Sequence, residues 1–198
     1  MKFYITASIP YVNAKPHLGH AYEFVQGDVI ARYHRILGDE TLYLSGADEN
    51  ALKIVQAAEK ANMEVQKFCD LNTEHFKHLL SELDVQLDMF ERASSVSHHQ
   101  SSQQLWKLCD TAGDIYKKKY EGLYCVGCET FYPKDELDEN GECFEHPGKK
   151  LDVVTEKNYF FRLSKYKDEL IKLIETDALK IVPAQRKNEV LGFLHGEV

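Results

Sequence analysis

A change of hydrophobic period between Pro10 and Leu18 constrains this chain more than any other feature. Residues 2–9, KFYITASI, are short, aromatic and β-branched, the pattern of a buried strand. Pro10 ends that run. From there on Leu18, Tyr22, Val25, Val29, Tyr33 and Ile36 recur at steps of four and three, the stripe of one helix face. Gly38 stops this helix.

The alternation continues. Residues 40–46, ETLYLSG, read as a second strand ending at Gly46. A loop and helix follow over ADENALKIVQAAEKAN, with Ala51, Ile54, Val55 and Ala58 on one side. A further helix carries Val65, Phe68, Cys69, Phe76, Leu79, Leu80 and Leu83. LDMFERA is a third strand, and Ser94 or Ser95 caps the next helix, which carries Leu105, Leu108, Cys109 and Ala112. Strand, helix, strand, helices, strand, helix is the order of a parallel α/β sheet. Cys69 and Cys109 fall on apolar stripes and are expected as buried core thiols.

The character changes near Gly113. IYKKKYEGLYCVGC is strand-like, and the stretch to about Lys150 is rich in Gly, Asp, Glu and Pro. KNYFFRL is a strand, SKYKDELIKLIE an amphipathic helix, and Pro183 precedes a last helix through Val190, Leu191 and Leu194. A second unit is expected from about residue 115.

With 198 residues the chain is one large or two small domains. Its charge of −8 excludes a broad basic face that grips nucleic acid by phosphate neutralisation alone. Local contacts through Lys117–119 or Lys149 and Lys150 stay open, although such runs usually form solvated surface. No apolar run approaches the roughly 20 residues that span a bilayer, and the N-terminus is too quickly polar for a signal peptide. A cytoplasmic protein without membrane contact is expected. Five cysteines in such a chain argue against a disulfide framework.

Three of those cysteines cluster. Cys125 and Cys128 form a Cys-x-x-Cys pair, and Cys143 and His146 follow as CFEH. Two close pairs of soft or borderline ligands suit tetrahedral Zn2+, and a complete set of four leaves no open position, so the metal is structural. The intervening ETFYPKDELDENGE is too polar and short for a core of its own, and metal binding supplies folding energy there. No helix starts at Cys125 to lower its pKa, which disfavours a redox role.

At the first strand-to-helix junction stands PHLGH. Open parallel sheets place ligands outside the carboxyl ends of their strands, and a helix N-terminus receives phosphate. His17 and His20 lie on the same side of the first turn and can donate to phosphate oxygens. Gly19 lets a flat ring such as adenine lie against the backbone.

PYVNAKPHLGH resembles the HIGH signature of class I aminoacyl-tRNA synthetases. With ASIPY before it and GADEN after the second strand, the chain resembles methionyl-tRNA synthetases in particular. YEGLYCVGCETFYPKDEL, GECFEHPGK, NYFFRL and NEVL resemble the zinc-bearing connective peptide of that family. The resemblance covers essentially the whole chain. It implies the first half of a class I synthetase Rossmann-type parallel sheet over residues 1–114. Residues 115–198 would be the inserted connective-peptide subdomain, with the zinc knuckle at about 124–150.

The activity implied is ATP-dependent activation of methionine to methionyl adenylate, then transfer to tRNA(Met), with ATP and Mg2+ as substrate. His17 and His20 match the catalytic histidines that stabilise the ATP phosphates, and Gly19 the glycine under adenine. Asn13 falls in the signature near the nucleotide. Asp48 matches the carboxylate that binds the methionine ammonium, although on residues alone it reads first as a loop aspartate or helix cap. Ile9 and Tyr11 match methionine-pocket residues.

Two departures stand out. The family often has Glu-His-Gly after the aspartate, whereas this chain has Glu49, Asn50 and Ala51. The resemblance also implies that the second half of the nucleotide fold, the KMSKS loop and the anticodon-binding domain lie beyond FLHGEV. An N-terminal fragment is expected, inactive alone, with an open sheet edge and apolar face that favour self-association or pairing with a C-terminal portion. The alternatives are a non-catalytic zinc-bearing module that binds tRNA or a partner, and another nucleotidyltransferase with the same histidine signature. ASIPY and the cysteine pairs weigh against the latter.

Overall fold

The computed structural model of the chain describes residues 1–132 and 137–196, with the backbone alone at position 156. Residues 133–136, within the expected knuckle, and the last two residues lie outside that description. Strands β1 (Lys2–Thr6), β2 (Glu40–Ala47) and β3 (Met89–Arg92) form a parallel sheet with β2 in the middle. Lys2 pairs with Glu40 and Thr6 with Leu44, while Leu44 pairs with Met89 and Ala47 with Arg92. Parallel neighbours need crossovers. Here α1 (Leu18–Ile36) joins β1 to β2, and α2 (Leu52–Lys60) with α3 (Val65–Glu82) joins β2 to β3.

The core beside this sheet contains Val12, Phe24, Ala47, Ile54, Phe68 and Phe76. Tyr43 is fully buried on β2, and its hydroxyl donates to the Phe24 carbonyl at 3.1 Å. Gly46 lets β2 approach β3, because a Cβ there would stand 1.9 Å from the Glu91 carbonyl oxygen.

The helix α1 ends near Gly38 as expected, with that glycine at φ +82°. Its inward face is not the bulky stripe. The buried residues are Phe24, Gly27, Asp28 and Ala31. The bulky stripe faces outward: Leu18 is 84 % exposed, Val29 61 % and Ile36 83 %. The inward row is mostly small because Tyr43 fills the space. A Cβ on Gly27 would lie 2.3 Å from the Tyr43 hydroxyl.

The strand β1 is shorter than the expected 2–9. After Ala7, Ser8 leaves the ladder, and its backbone N–H donates to Glu23 Oε1 at 2.7 Å. The Ser45 hydroxyl donates to the Ser8 carbonyl. The chain rejoins β2 at an isolated parallel bridge between Tyr11 and Asp48.

Helix α4 (Val96–Thr111) is capped by Ser95, whose Oγ accepts from the His98 N–H at 3.0 Å. None of its residues is fully buried, so Cys109 is only half-buried, unlike Cys69. By compactness the chain forms two units. One joins Met1–Ser102 to Leu123–Val153, and the other joins Gln103–Gly122 to the chain from Val154 onward.

A second sheet has the order β5-β4-β6, formed by β4 (Ile115–Cys125), β5 (Thr130–Tyr132) and β6 (Asp152–Phe161). In the first unit Leu123 and Cys125 pair antiparallel with Tyr132 and Thr130. In the second, Asp114 accepts from Lys165 Nζ at 2.6 Å and from the Tyr166 hydroxyl. These contacts anchor a 3-10 turn (Leu163–Tyr166) before α5 (Lys167–Glu175) and α6 (Ala184–His195), which bury Ile174 and Leu194. No helix among the described residues is long and apolar enough to cross a membrane.

Candidate active site and metal centre

The first turn of α1 is held by its own histidines. The Gly19 N–H donates to His17 Nδ1 at 3.1 Å, and the His17 N–H donates to His20 Nδ1 at 3.2 Å. These are the two halves of a reciprocal cap. An imidazole nitrogen that accepts carries no proton, so each neutral ring keeps its hydrogen on Nε2. The rings stack with centroids 3.9 Å apart. Two Nε2–H donors are thereby fixed side by side at a helix N-terminus. Burial, and then the neighbouring His17, hold the His20 pKa below the usual histidine range. His20 also meets the edge of the buried Phe76 ring, whereas His17 is exposed.

Opposite this turn in sequence, the carboxyl ends of β1 and β2 are tied together. The Asp48 N–H donates to the Pro10 carbonyl at 2.9 Å, and the Val12 N–H donates to the Asp48 carbonyl at 3.2 Å. Asp48 Oδ1 accepts from the Asn50 N–H at 3.0 Å. An Asx turn thus forms in the segment that reads Asn50-Ala51, and Ala51 precedes α2 without a side-chain cap. Ile9 is 40 % exposed beside this bridge, and Asn13 is partly buried just after it.

Sequence reasoning passed over two carboxylates here. The Glu49 side chain is 2 % exposed and pairs with Arg92, which also binds Asp70. Glu49 Oε2 further accepts from the Ser94 N–H at 3.0 Å. Burial alone would raise the Glu49 pKa, but hydrogen bonds from Arg92 and Ser94 outweigh it and the pKa falls. The other carboxylate is Glu129, which follows Cys128. Its side chain is 14 % exposed and lies 3.7 Å from Lys53 Nζ, which itself sits 3.4 Å over the Tyr11 ring. Hydrogen bonding to Glu129, with burial, pushes the Tyr11 hydroxyl up to about 12. Neither acid belongs to a spacing motif, and only the fold brings its partners near.

Cys125, Cys128, Cys143 and His146 do converge, with all ligand atoms within 4.8 Å of one another. Sγ of Cys143 lies 3.2 Å from Cys125 and 3.8 Å from Cys128, and His146 Nδ1 is 3.1–3.8 Å from the three sulfurs. A tetrahedral zinc with Zn–S of about 2.3 Å separates its sulfurs by about 3.8 Å, so the four donors fit such an ion. Gly127 is part of the cradle, since a Cβ there would stand 2.5 Å from the His146 ring. Burial opposes a Cys125 thiolate, but the backbone N–H groups of Cys128 and Gly127 and the neighbouring thiols prevail and lower its pKa. Burial and the adjacent sulfurs push Cys143 up to about 11.

The family model of class I tRNA synthetases (M) matches residues 3–198. The chain belongs to this family. It is 44 % identical over 198 residues to the methionine–tRNA ligase of Thermotoga maritima, covering 99 % of this chain and 32 % of that protein. It is 38 % identical over 195 residues to the Brucella suis enzyme of the same name, covering 98 % of this chain and 38 % of the relative. Among solved structures, Mycobacterium tuberculosis methionyl-tRNA synthetase bound by methionyl-adenylate superposes with a TM-score of 0.93 at 35 % identity. That match covers all of this chain and 40 % of the other. The chain therefore spans about a third of the length of these synthetases, and its three-stranded parallel sheet is part of their Rossmann-type fold.

Proposed function

We propose that this chain is the N-terminal portion of a methionine–tRNA ligase, in which ATP activates methionine and the methionyl group passes to tRNA(Met). The carrying observation is the pair of stacked imidazoles whose Nε2–H groups are fixed by the backbone at the start of α1. Donors held in advance stabilise charge that develops on phosphate oxygens as pyrophosphate leaves. His17 and His20 take that role, and Gly19 and Asn13 border the nucleotide. Asp48 receives the methionine ammonium, with Ile9 and Tyr11 around the side chain. Zn2+ held by Cys125, Cys128, Cys143 and His146 is structural, since a four-ligand set leaves no coordination site for substrate. Residues 1–114 then belong to the catalytic domain and 115–198 to its connective peptide. A cytoplasmic location accords with the absence of a membrane-spanning helix among the described residues.

Methionine-dependent ATP–pyrophosphate exchange tests this reading. The chain alone is expected to show almost none, and a polypeptide extended to the length of its relatives to show it robustly. In the extended protein, His17→Ala or His20→Ala should slow adenylate formation by roughly 100-fold. Methionine affinity should change far less, and equal losses in both would remove the transition-state role.

One observation favours a second reading, a zinc-bearing module that binds tRNA without catalysis. Lys53, Lys60, Lys149 and Lys150 line a cleft of about 420 Å³ beside Gly127. If no exchange appears in the extended protein and salt-sensitive tRNA binding depends on these lysines, that reading prevails.

A further inference from the structure

Glu129 is held in an unusual way. It has φ +54°, a left-handed backbone that non-glycine residues rarely adopt. Its side chain is largely buried, and Oε1 lacks a well-aligned hydrogen-bond donor among the described residues. The nearest charged partner is Lys53 Nζ. Lys53 contacts Glu129 as an ion pair at 3.7 Å and Tyr11 as a cation over its ring. Tyr11 is in turn bridged through its backbone to Asp48. All these residues belong to one compact unit. A continuous run of contacts thus leads from Cys128 through Glu129 and Lys53 to Tyr11 and Asp48. Strained residues and buried, underused acceptors persist where the surroundings fix them for a purpose.

We infer that Glu129 is a positioning residue that fixes Tyr11, and with it the Tyr11–Asp48 bridge, to the Cys/His metal knuckle. Metal bound at residues 125–128 would order the left-handed turn at 129, and Lys53 clamps the Glu129 carboxylate and the Tyr11 ring together. The consequence for methionine binding rests on the functional reading of Tyr11 and Asp48 given above. The contact itself does not.

Amide hydrogen exchange at Val12 and Asp48, the residues bonded across the bridge, separates the two. The comparison uses the zinc-loaded chain, Glu129→Gln and Glu129→Asp, each with metal content measured. In the wild type, chelation should speed exchange at both amides by roughly tenfold. In metal-replete Glu129→Gln exchange should already be fast, and chelation should add little. Glu129→Asp, which keeps the charge, should recover part of the protection. In 3-fluorotyrosine-labelled protein, the 19F resonance lost in Tyr11→Phe should shift in Glu129→Gln and return toward its place in Glu129→Asp.

Equal acceleration by chelation in wild type and Glu129→Gln would overturn the inference, as would protection that ignores both. If exchange follows Glu129 while the extended wild-type protein binds no methionine, the positioning contact stands and the methionine reading falls.

Discussion

A methyl group on residue 127 would press into the His146 ring at 2.5 Å, closer than any real side-chain carbon sits. Gly127→Ala should therefore push His146 away from the three thiols and lower zinc affinity by at least tenfold. Competition with a chromophoric chelator checks this. At residue 27 the obstacle is the buried Tyr43 hydroxyl. Overpacking of this kind costs about 1–3 kcal/mol, so Gly27→Ala should lower the unfolding free energy by that amount in a denaturant titration. Gly19 is read from the sequence as room for a flat ring. The structure gives it a second task, because a Cβ there would stand 2.9 Å from the His17 ring that caps the helix. Close approach of this kind leaves no trace in spacing: the glycines are visible in the sequence, and the atoms they make room for are not.

The helix α1 shows how an element's extent can be legible while its buried face is not. Its start at Leu18 and its stop near Gly38 follow from local chemistry. Its apolar stripe is not what it buries. The buried row instead carries a glycine, an alanine and Asp28, whose Oδ1 accepts from the Gln86 N–H and whose Oδ2 meets Arg32. A helix laid close on a large β2 tyrosine needs small residues there, and periodicity weighted by hydrophobicity selects the other face.

The segment after β2 was read for Asp48, yet its most tightly held acid is Glu49. A carboxylate with a depressed pKa stabilises the fold fully above its unfolded value of about 4.3. That contribution disappears as pH falls through the lower folded value. Wild-type stability should thus drop more steeply below about pH 4.3 than that of Glu49→Gln, with midpoints measured in urea from pH 3 to 7. Arg92→Met, which leaves Glu49 buried without its partner, should cost about 2 kcal/mol at neutral pH.

At the scale of the molecule, the outward stripe of α1 places Leu18, Tyr22, Val29, Tyr33 and Ile36 in water together. Contiguous apolar faces of this kind drive association. The chain is expected to sediment as concentration-dependent oligomers, and Val29→Glu with Tyr33→Glu to restore the monomer. The parallel sheet and the order of its elements are readable from the alternation of strand and helix periods, and the Cys/His cluster from its paired spacing. The grouping of residues 123–153 with the N-terminal sheet is not, because it depends on contacts between segments far apart in the chain.

Those distant contacts also order events in time. Chains emerge and fold from the N-terminus during synthesis. The three parallel strands are complete once Arg92 has emerged, and α1 with its histidines earlier still. Tyr11 is made long before Glu129, the acid with which it shares Lys53. One side of the candidate site thus waits, unfinished, for a segment synthesised long after the sheet that carries it.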